Sequence, residues 1–276
     1  MTQNKPHPFI KWAGGKTKLL PELVKRINRI SKINNYYEPF LGGGSLFFKL
    51  LKQKRITSSY LSDLNNDLIN TYRTVRDHPE ELINLLKEYK DKHSKEFYYE
   101  IRSMNPDNVI ERSARFIYLN KTCYNGLCRV NKKGQFNVPM GNYKNPKILD
   151  ENNLRIVSNS LKDSKLIIQD FEESTHNIKL GDFVYFDPPY FPISNTSNFT
   201  AYIENGFGIN EQMKLFEVCQ QLSTRGVYII ISNSNSDFIR DLYKFDFIIE
   251  EIDSPRRINS KSKKRGNIKE LLIRNF

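Results

Sequence analysis

The feature that most restricts this chain is a short apolar strand that runs straight into three glycines. Tyr36 to Phe40 reads as a strand and Leu41-Gly42-Gly43-Gly44 as the turn after it. Leu46, Phe47, Leu50 and Leu51 then mark the apolar face of a helix. Ser59 to Ser62 reads as a second strand ending at Asp63. Strand, glycine turn, helix, strand is the order of a doubly wound sheet. Glycines just after a strand allow a tight turn that brings a ligand close to the main chain. Asp63 follows the turn by about twenty residues, where an acid can accept from ribose hydroxyls. A nucleoside-containing cofactor fits this pattern. The dinucleotide fingerprint is not met, because Phe47 occupies the place of its last glycine.

The rest of the chain extends an α/β reading. Strand signals recur at Leu166 to Ile168, Phe183 to Phe186, Val227 to Ser232, Phe247 to Ile252 and Leu271 to Arg274, with helical Glu211 to Leu222 among them. From about Asn66 to Lys121 the pattern is helical, with breaks near His78-Pro79 and Asn105-Pro106. A polar, glycine-dotted stretch follows from Tyr124 to Pro146. The expected organisation is therefore a doubly wound mixed sheet formed by residues 1–65 and 162–276, split by a mainly helical insertion at 66–161 that carries a hairpin.

Composition narrows the chemistry. Lys and Arg exceed Asp and Glu by 43 to 31, and a net charge of +12 suits a polyanionic partner. Arg129 to Lys133 and Arg256 to Arg265 are the basic stretches. Three cysteines and four scattered histidines show neither disulfide nor zinc spacing, so no metal is expected and carboxylates and backbone must carry any reaction. The longest apolar run, Val227 to Ile231, is strand-sized, and the first eight residues are polar; no membrane segment and a cytoplasmic location are expected. Ala13-Gly14-Gly15-Lys16-Thr17 resembles a P-loop only superficially, since Ile10 stands where its first glycine is required.

The strongest segment is Phe183-Val184-Tyr185-Phe186-Asp187-Pro188-Pro189-Tyr190. An apolar strand delivers a carboxylate to its C-terminal end, where open α/β sheets bind ligands. Two prolines fix φ, remove two backbone donors and leave carbonyls as acceptors in a rigid turn. A group rich in acceptors suits an exocyclic amine. Adenine's amine is a poor nucleophile, because its lone pair is delocalised into the ring. Hydrogen bonds from its two hydrogens to the Asp187 carboxylate and the Pro188 carbonyl favour a pyramidal nitrogen able to attack a sulfonium methyl directly. Tyr190 offers a flat face for a base extruded from a duplex.

These residues resemble the Dam-type DNA adenine-N6 methyltransferases, and the likeness spans nearly the whole chain. Phe9 to Lys16 is similar to the family's N-terminal cofactor motif, which implies Trp12 and Lys16 as contacts of S-adenosylmethionine. Glu38 to Gly44 resembles its E-P-F-x-G-x-G element, implying Glu38, Phe40, Gly42 and Gly44, and Asp63 resembles its ribose-binding acid. Asp170-Phe171 stands where the family holds the cofactor's adenine, and Asp187-Pro188-Pro189-Tyr190 is similar to its catalytic D-P-P-Y. Tyr124 to Pro139 looks like the recognition hairpin for duplex GATC. The resemblance implies that Arg129 reads a guanine, that Leu127 and Pro139 make apolar contacts, and that Asn125, Tyr143 and Lys144 contact DNA. Met140 and Val130 depart from residues common in the family at their positions. Asn198 to Tyr202 matches a segment that closes over the flipped base. The resemblance thus implies a Rossmann-like methyltransferase core, double-stranded DNA as partner and a possible companion restriction endonuclease. Competing readings are a methyltransferase acting on RNA or on a glutamine amide, and a DNA-binding module that has lost catalysis.

Overall fold

The computed structural model describes residues 5–12, 16, 19–131, 133–193, 207–255 and 267–276. Ala13 to Gly15, the closing segment Asn198 to Tyr202 and the basic stretch Arg256 to Arg265 lie outside the described residues. The chain divides into two compact units. One comprises Met1–Thr17, Gly42–Arg55 and Asp63–Ile168; the other comprises Lys18–Leu41, Ile56–Ser62 and Gln169–Phe276.

The second unit carries the sheet that the repeated strand signals predict. Its strands are β1 (Tyr36–Glu38), β2 (Ser59–Asp63, all but its last residue), β4 (Phe183–Phe186), β5 (Tyr228–Ser234), β6 (Ile248–Pro255) and β7 (Asn267–Arg274). Within this unit the strands lie in the order β2-β1-β4-β5-β7-β6, and a further strand, β3 (Ser164–Ile168), belongs to the other unit. Strands β2, β1, β4 and β5 run parallel, with Tyr36 opposite Phe183 and Phe186 opposite Ile231. Strand β7 enters antiparallel beside β5, and β6 takes the edge beside it. The sheet is thus mixed, as expected. All four residues of β4 are buried, as the unbroken apolar run predicts for a strand enclosed on both sides.

Helices α1 (Leu20–Ile27), α8 (Phe171–Thr175), α9 (Ile209–Thr224) and α10 (Asp237–Tyr243) also belong to this unit. Leu215, Cys219 and Leu222 of α9 bury against Ile229 and Ile231 of β5, Val184 and Phe186 of β4, and Tyr243 of α10. Glu250 on β6 receives two buried guanidiniums, from Arg26 of α1 at 2.5 Å and from Arg274 of β7 at 3.0 Å.

The first unit is mainly helical. It holds α2 (Ser45–Lys52), α3 (Asn66–Asp77), α4 (Pro79–Asp91), α5 (Lys95–Ser103), α6 (Val109–Thr122), α7 (Glu151–Ser160) and β3. Side-chain caps start four of these helices: Asn65 on α3, Ser94 on α5, Asn108 on α6 and Asp150 on α7. The apolar stripes of α3 (Leu68, Tyr72, Val75), α4 (Leu82, Ile83, Leu86) and α6 (Ile117, Tyr118) form its core. The expected breaks at His78-Pro79 and near Pro106 are both present. A third break, at Lys92 to Ser94, separates α4 from α5 and had no proline to announce it.

Candidate active site

Each unit carries part of the residue set singled out in the sequence. In the sheet unit, period-two geometry puts Tyr36 and Glu38 on one face of β1, and the Tyr36 hydroxyl donates to Glu38 Oε2 at 2.8 Å. Glu38 is 3 % exposed. Phe40, just beyond β1, stacks on Phe171 with centroids 5.7 Å apart, and meets Phe186 and Phe207 edge-on. Phe171 belongs to the core, and Asp170 caps α8 by accepting from the Glu173 N–H at 2.8 Å.

Strand β4 delivers Asp187, partly buried, to its C-terminal end. Ser232 Oγ donates to Asp187 Oδ1 at 2.8 Å and lies 2.9 Å from the Tyr185 hydroxyl. A serine has one hydroxyl hydrogen, and the carboxylate takes it, so Tyr185 must be the donor to Ser232. The result is a directed chain from Tyr185 through Ser232 to Asp187. Pro188 is buried and Pro189 exposed. Gln212 Nε2, on α9, donates to the Pro189 carbonyl at 3.0 Å, and Gln212 Oε1 accepts from Asn233 Nδ2 at 3.0 Å. Asn233 Oδ1 in turn accepts the Phe191 N–H at 3.1 Å. Gln212 and Asn233 are both fully buried, so this amide relay ties the proline turn to α9 and β5 at both of its shoulders. The Tyr190 hydroxyl donates to Glu270 Oε2 on β7 at 2.8 Å.

Electrostatics keep the surrounding phenols protonated. Burial first, then Glu38, Tyr185 and Asp187, push the Tyr36 hydroxyl well above its ordinary range. Burial and Asp187 do the same to Tyr185 and Tyr190. Three neutral phenols thus serve as donors to three carboxylates or their serine intermediary. Sequence reasoning missed Ser232, Asn233, Gln212 and Glu270. A signal existed in the polar triplet Ser232-Asn233-Ser234, which follows directly on the apolar run of β5.

In the helical unit, the glycine turn takes the conformation that its composition predicts. Gly42 and Gly44 have φ of 48° and 62°, and Gly44 caps α2. Asp63 Oδ2 accepts from the Gly42 N–H at 3.1 Å and its Oδ1 from the Asn65 N–H at 3.0 Å. Burial raises the Asp63 pKa, against the lowering effect of these backbone donors. Trp12 lies against the turn so closely that a Cβ on Gly42 would fall 2.6 Å from its Cδ1. Lys16 is partly buried.

The irregular stretch of the same unit forms a short antiparallel arm. Cys123 bridges Met140 and Val130 bridges Phe136. Arg129 Nε donates to Asn137 Oδ1 at 2.8 Å, which leaves the forked end of its guanidinium uncommitted to that bond. Asn125 (φ 55°), Arg129, Pro139 and Lys144 are exposed, Leu127 and Tyr143 partly so, and Lys11 Nζ rests 4.2 Å from the Tyr143 ring centre. Among the described residues, no three His, Cys, Asp or Glu side chains gather where they could hold a metal ion, and no helix is long and apolar enough to cross a membrane.

This arrangement can be set against known proteins. Residues 12–258 match the family model of the D12 class N6 adenine-specific DNA methyltransferases. The chain belongs to that class. It is 43 % identical over 277 residues to the type II methyltransferase M1.LlaDCHI of Lactococcus lactis subsp. cremoris, covering 98 % of this chain and 95 % of that one. It is likewise 43 % identical over 286 residues to the type II methyltransferase M.MjaIII of Methanocaldococcus jannaschii, covering 98 % and 99 %. The DNA adenine methylase of Vibrio cholerae serotype O1 is 33 % identical over 273 residues, covering 97 % and 95 %. This D12-class chain is therefore an adenine-specific DNA methyltransferase.

Proposed function

We propose that this D12-class enzyme transfers the methyl group of S-adenosylmethionine to the N6 amine of a flipped adenine in duplex GATC, with Asp187-Pro188-Pro189-Tyr190 as its catalytic segment. The observation that carries the reading is the Asp187 carboxylate, oriented by Ser232 at the end of β4 and followed by a turn whose second carbonyl is tied to Gln212. Asp187 and the Pro188 carbonyl accept from the two amine hydrogens and localise the nitrogen lone pair. Asp187 receives the proton that the nitrogen sheds on alkylation. The Tyr190 ring stacks on the extruded base, offsetting the few kcal/mol lost on leaving the duplex.

The donor set suits the methyl donor. Buried Glu38 and partly buried Asp63 are acceptors that match ammonium and hydroxyl groups, the left-handed glycine turn admits a ligand near the backbone, and Phe40 offers an aromatic face. Trp12, Lys16, Asp170 and Phe171 join them by resemblance. When bound, S-adenosylmethionine supplies an electrophilic methyl on a sulfonium. The inserted segment 66–161 recognises DNA: Arg129 reads a guanine, Leu127 and Pro139 touch bases, and Asn125, Tyr143 and Lys144 hold the duplex. The two relatives named type II methyltransferases support a companion restriction endonuclease.

Transfer of tritiated methyl to duplexes with and without GATC, with the modified base mapped, tests this reading. Asp187→Ala is expected to fold, bind S-adenosylmethionine and transfer nothing. Full activity in that variant overturns the mechanism, and equal labelling of both duplexes overturns the sequence assignment.

A further inference from the structure

We propose that Glu270 is a positioning residue of the methyl-transfer site, which sets the plane of the Tyr190 ring through the tyrosine hydroxyl. The inference rests on the proposed role of Asp187 to Tyr190. Its basis is the bond from the Tyr190 hydroxyl to Glu270 Oε2 at 2.8 Å, between groups 80 residues apart in the chain.

Three observations give this bond more than a stabilising role. Stacking on a base needs only the aromatic ring, so the hydroxyl of Tyr190 has to be explained. Burial of a hydroxyl costs free energy unless it is bonded, and Glu270 bonds it. Glu270 is only partly exposed and stands where its strand passes from exposed Lys269 into the core. It is followed by Leu271, Leu272 and Ile273, all fully buried, in a strand paired on both sides. A partly buried carboxylate at such a place is stabilised by a donor, and the Tyr190 hydroxyl supplies one. Finally, Tyr190 sits in irregular backbone after two prolines, while Glu270 sits on β7 opposite Ser234 of β5 and Ile252 of β6. A ring on a turn gains precision when its far end is held by a sheet. The amide relay through Gln212 and Asn233 holds the backbone of this turn, and the bond to Glu270 acts on the far end of the Tyr190 side chain.

A charge-assisted bond to a carboxylate is strong enough to choose one ring orientation over another. Misplacing a reacting group by about 1 Å costs up to roughly 100-fold in rate. Replacing Glu270 by an apolar residue is therefore expected to lower kcat by about 10- to 100-fold while KM for S-adenosylmethionine stays within about twofold.

The experiment measures single-turnover methyl transfer by the full chain, for E270L, E270Q, Y190F and the double variant Y190F/E270L. In parallel, the fluorescence of 2-aminopurine placed at the target base reports stacking of the extruded base. Thermal melts check folding. The expected result is that E270L and Y190F each slow transfer, that the double variant is no slower than the worse single, and that E270Q, which keeps an acceptor for the hydroxyl, recovers most of the rate. Both slowed variants should also show brighter 2-aminopurine, because the ring no longer stacks squarely. Multiplying effects in the double variant, or a wild-type rate in E270L, overturn the proposal. Should E270L fail to fold, Y190F and E270Q decide: a slow Y190F with a fast E270Q supports it, and a wild-type rate in Y190F overturns it. D187A separates the two levels. An active D187A sinks the underlying mechanism, whereas an inactive D187A beside a fully active E270L sinks only the role of Glu270.

Discussion

Ser232→Ala probes the directed chain from Tyr185 to Asp187, and its two consequences can be separated. Tyr185 is 1 % exposed and donates to Ser232 Oγ, which passes its own hydrogen to Asp187. Alanine at 232 strands the Tyr185 hydroxyl in the core, at about 1–3 kcal/mol. It also removes a donor from Asp187, a group exposed enough for water to compensate in part. A stability loss of about 2 kcal/mol is expected from the stranded hydroxyl. Tyr185→Phe in the same background deletes the hydroxyl along with the serine. Removing both partners of a buried bond is nearly neutral, so S232A/Y185F should recover most of the lost stability. Activity should not follow. Asp187 still lacks the bond that orients it, so kcat stays about 10- to 100-fold down in both S232A and the double variant. Y185F alone keeps the Ser232 bond and a rate near wild type. Urea unfolding and single-turnover transfer on the four proteins read the two effects independently. Recovery of the rate in S232A/Y185F would refute the reasoning, because orientation of Asp187 would then not depend on Ser232.

Gly42→Ala combines a left-handed φ of 48°, costing about 1–2 kcal/mol, with a Cβ 2.6 Å from Trp12 Cδ1. Since carbon contacts favour about 3.5–4.0 Å, the indole must retreat by about 1 Å, and calorimetry should show at least about tenfold weaker binding of S-adenosylmethionine. Unchanged affinity would remove Trp12 and the turn from the cofactor site. Glu250→Gln leaves Arg274 buried without its carboxylate and Arg26 with Glu22 alone, and should destabilise the chain by about 3 kcal/mol in chemical denaturation at neutral pH. Burial opposes the Glu250 charge, but the two guanidiniums outweigh it and hold the pKa at about 2. The depressed carboxylate stabilises the fold above its unfolded pKa near 4.5, and this contribution is lost as pH falls from there towards about 2. The advantage of the native protein over E250Q should therefore shrink over that window; a constant difference would contradict the assignment. Arg129→Ala should relax discrimination at one guanine by about 1–3 kcal/mol, read as comparative kcat/KM on substituted duplexes. Unaltered preference at every position of the site would exclude Arg129 from base readout.

Local chemistry made part of this architecture legible in the sequence. Gly42 and Gly44 announced a tight turn, Phe183 to Phe186 an apolar strand, and His78-Pro79 a helix boundary, because each depends on neighbours within a few residues. The break before α5 was harder to read, since Ser94 marks it as a cap and serine is common elsewhere. The framework of the proline turn was not legible. Gln212 and Asn233 look like ordinary polar residues until α9 and β5 are packed, when both become fully buried and their amides have to find partners. Asp170 and Phe171 show the converse: a motif correctly located, whose side chains also serve the fold as a helix cap and a core ring.

The antiparallel entry of β7 between β5 and β6 bears on which changes this protein can tolerate. Opposite residues of the ladder, Ser234 and Glu270, bring a carboxylate to Tyr190, and side chains alternate along a strand. A deletion of one residue inside β7 would turn Glu270 to the far side of the sheet and bring a neighbour, the cationic Lys269 or the apolar Leu271, to its place, while a loss or gain of residues before Asn267 leaves the ladder as it is. Insertions and deletions should therefore accumulate between β6 and β7 and be purged within β7.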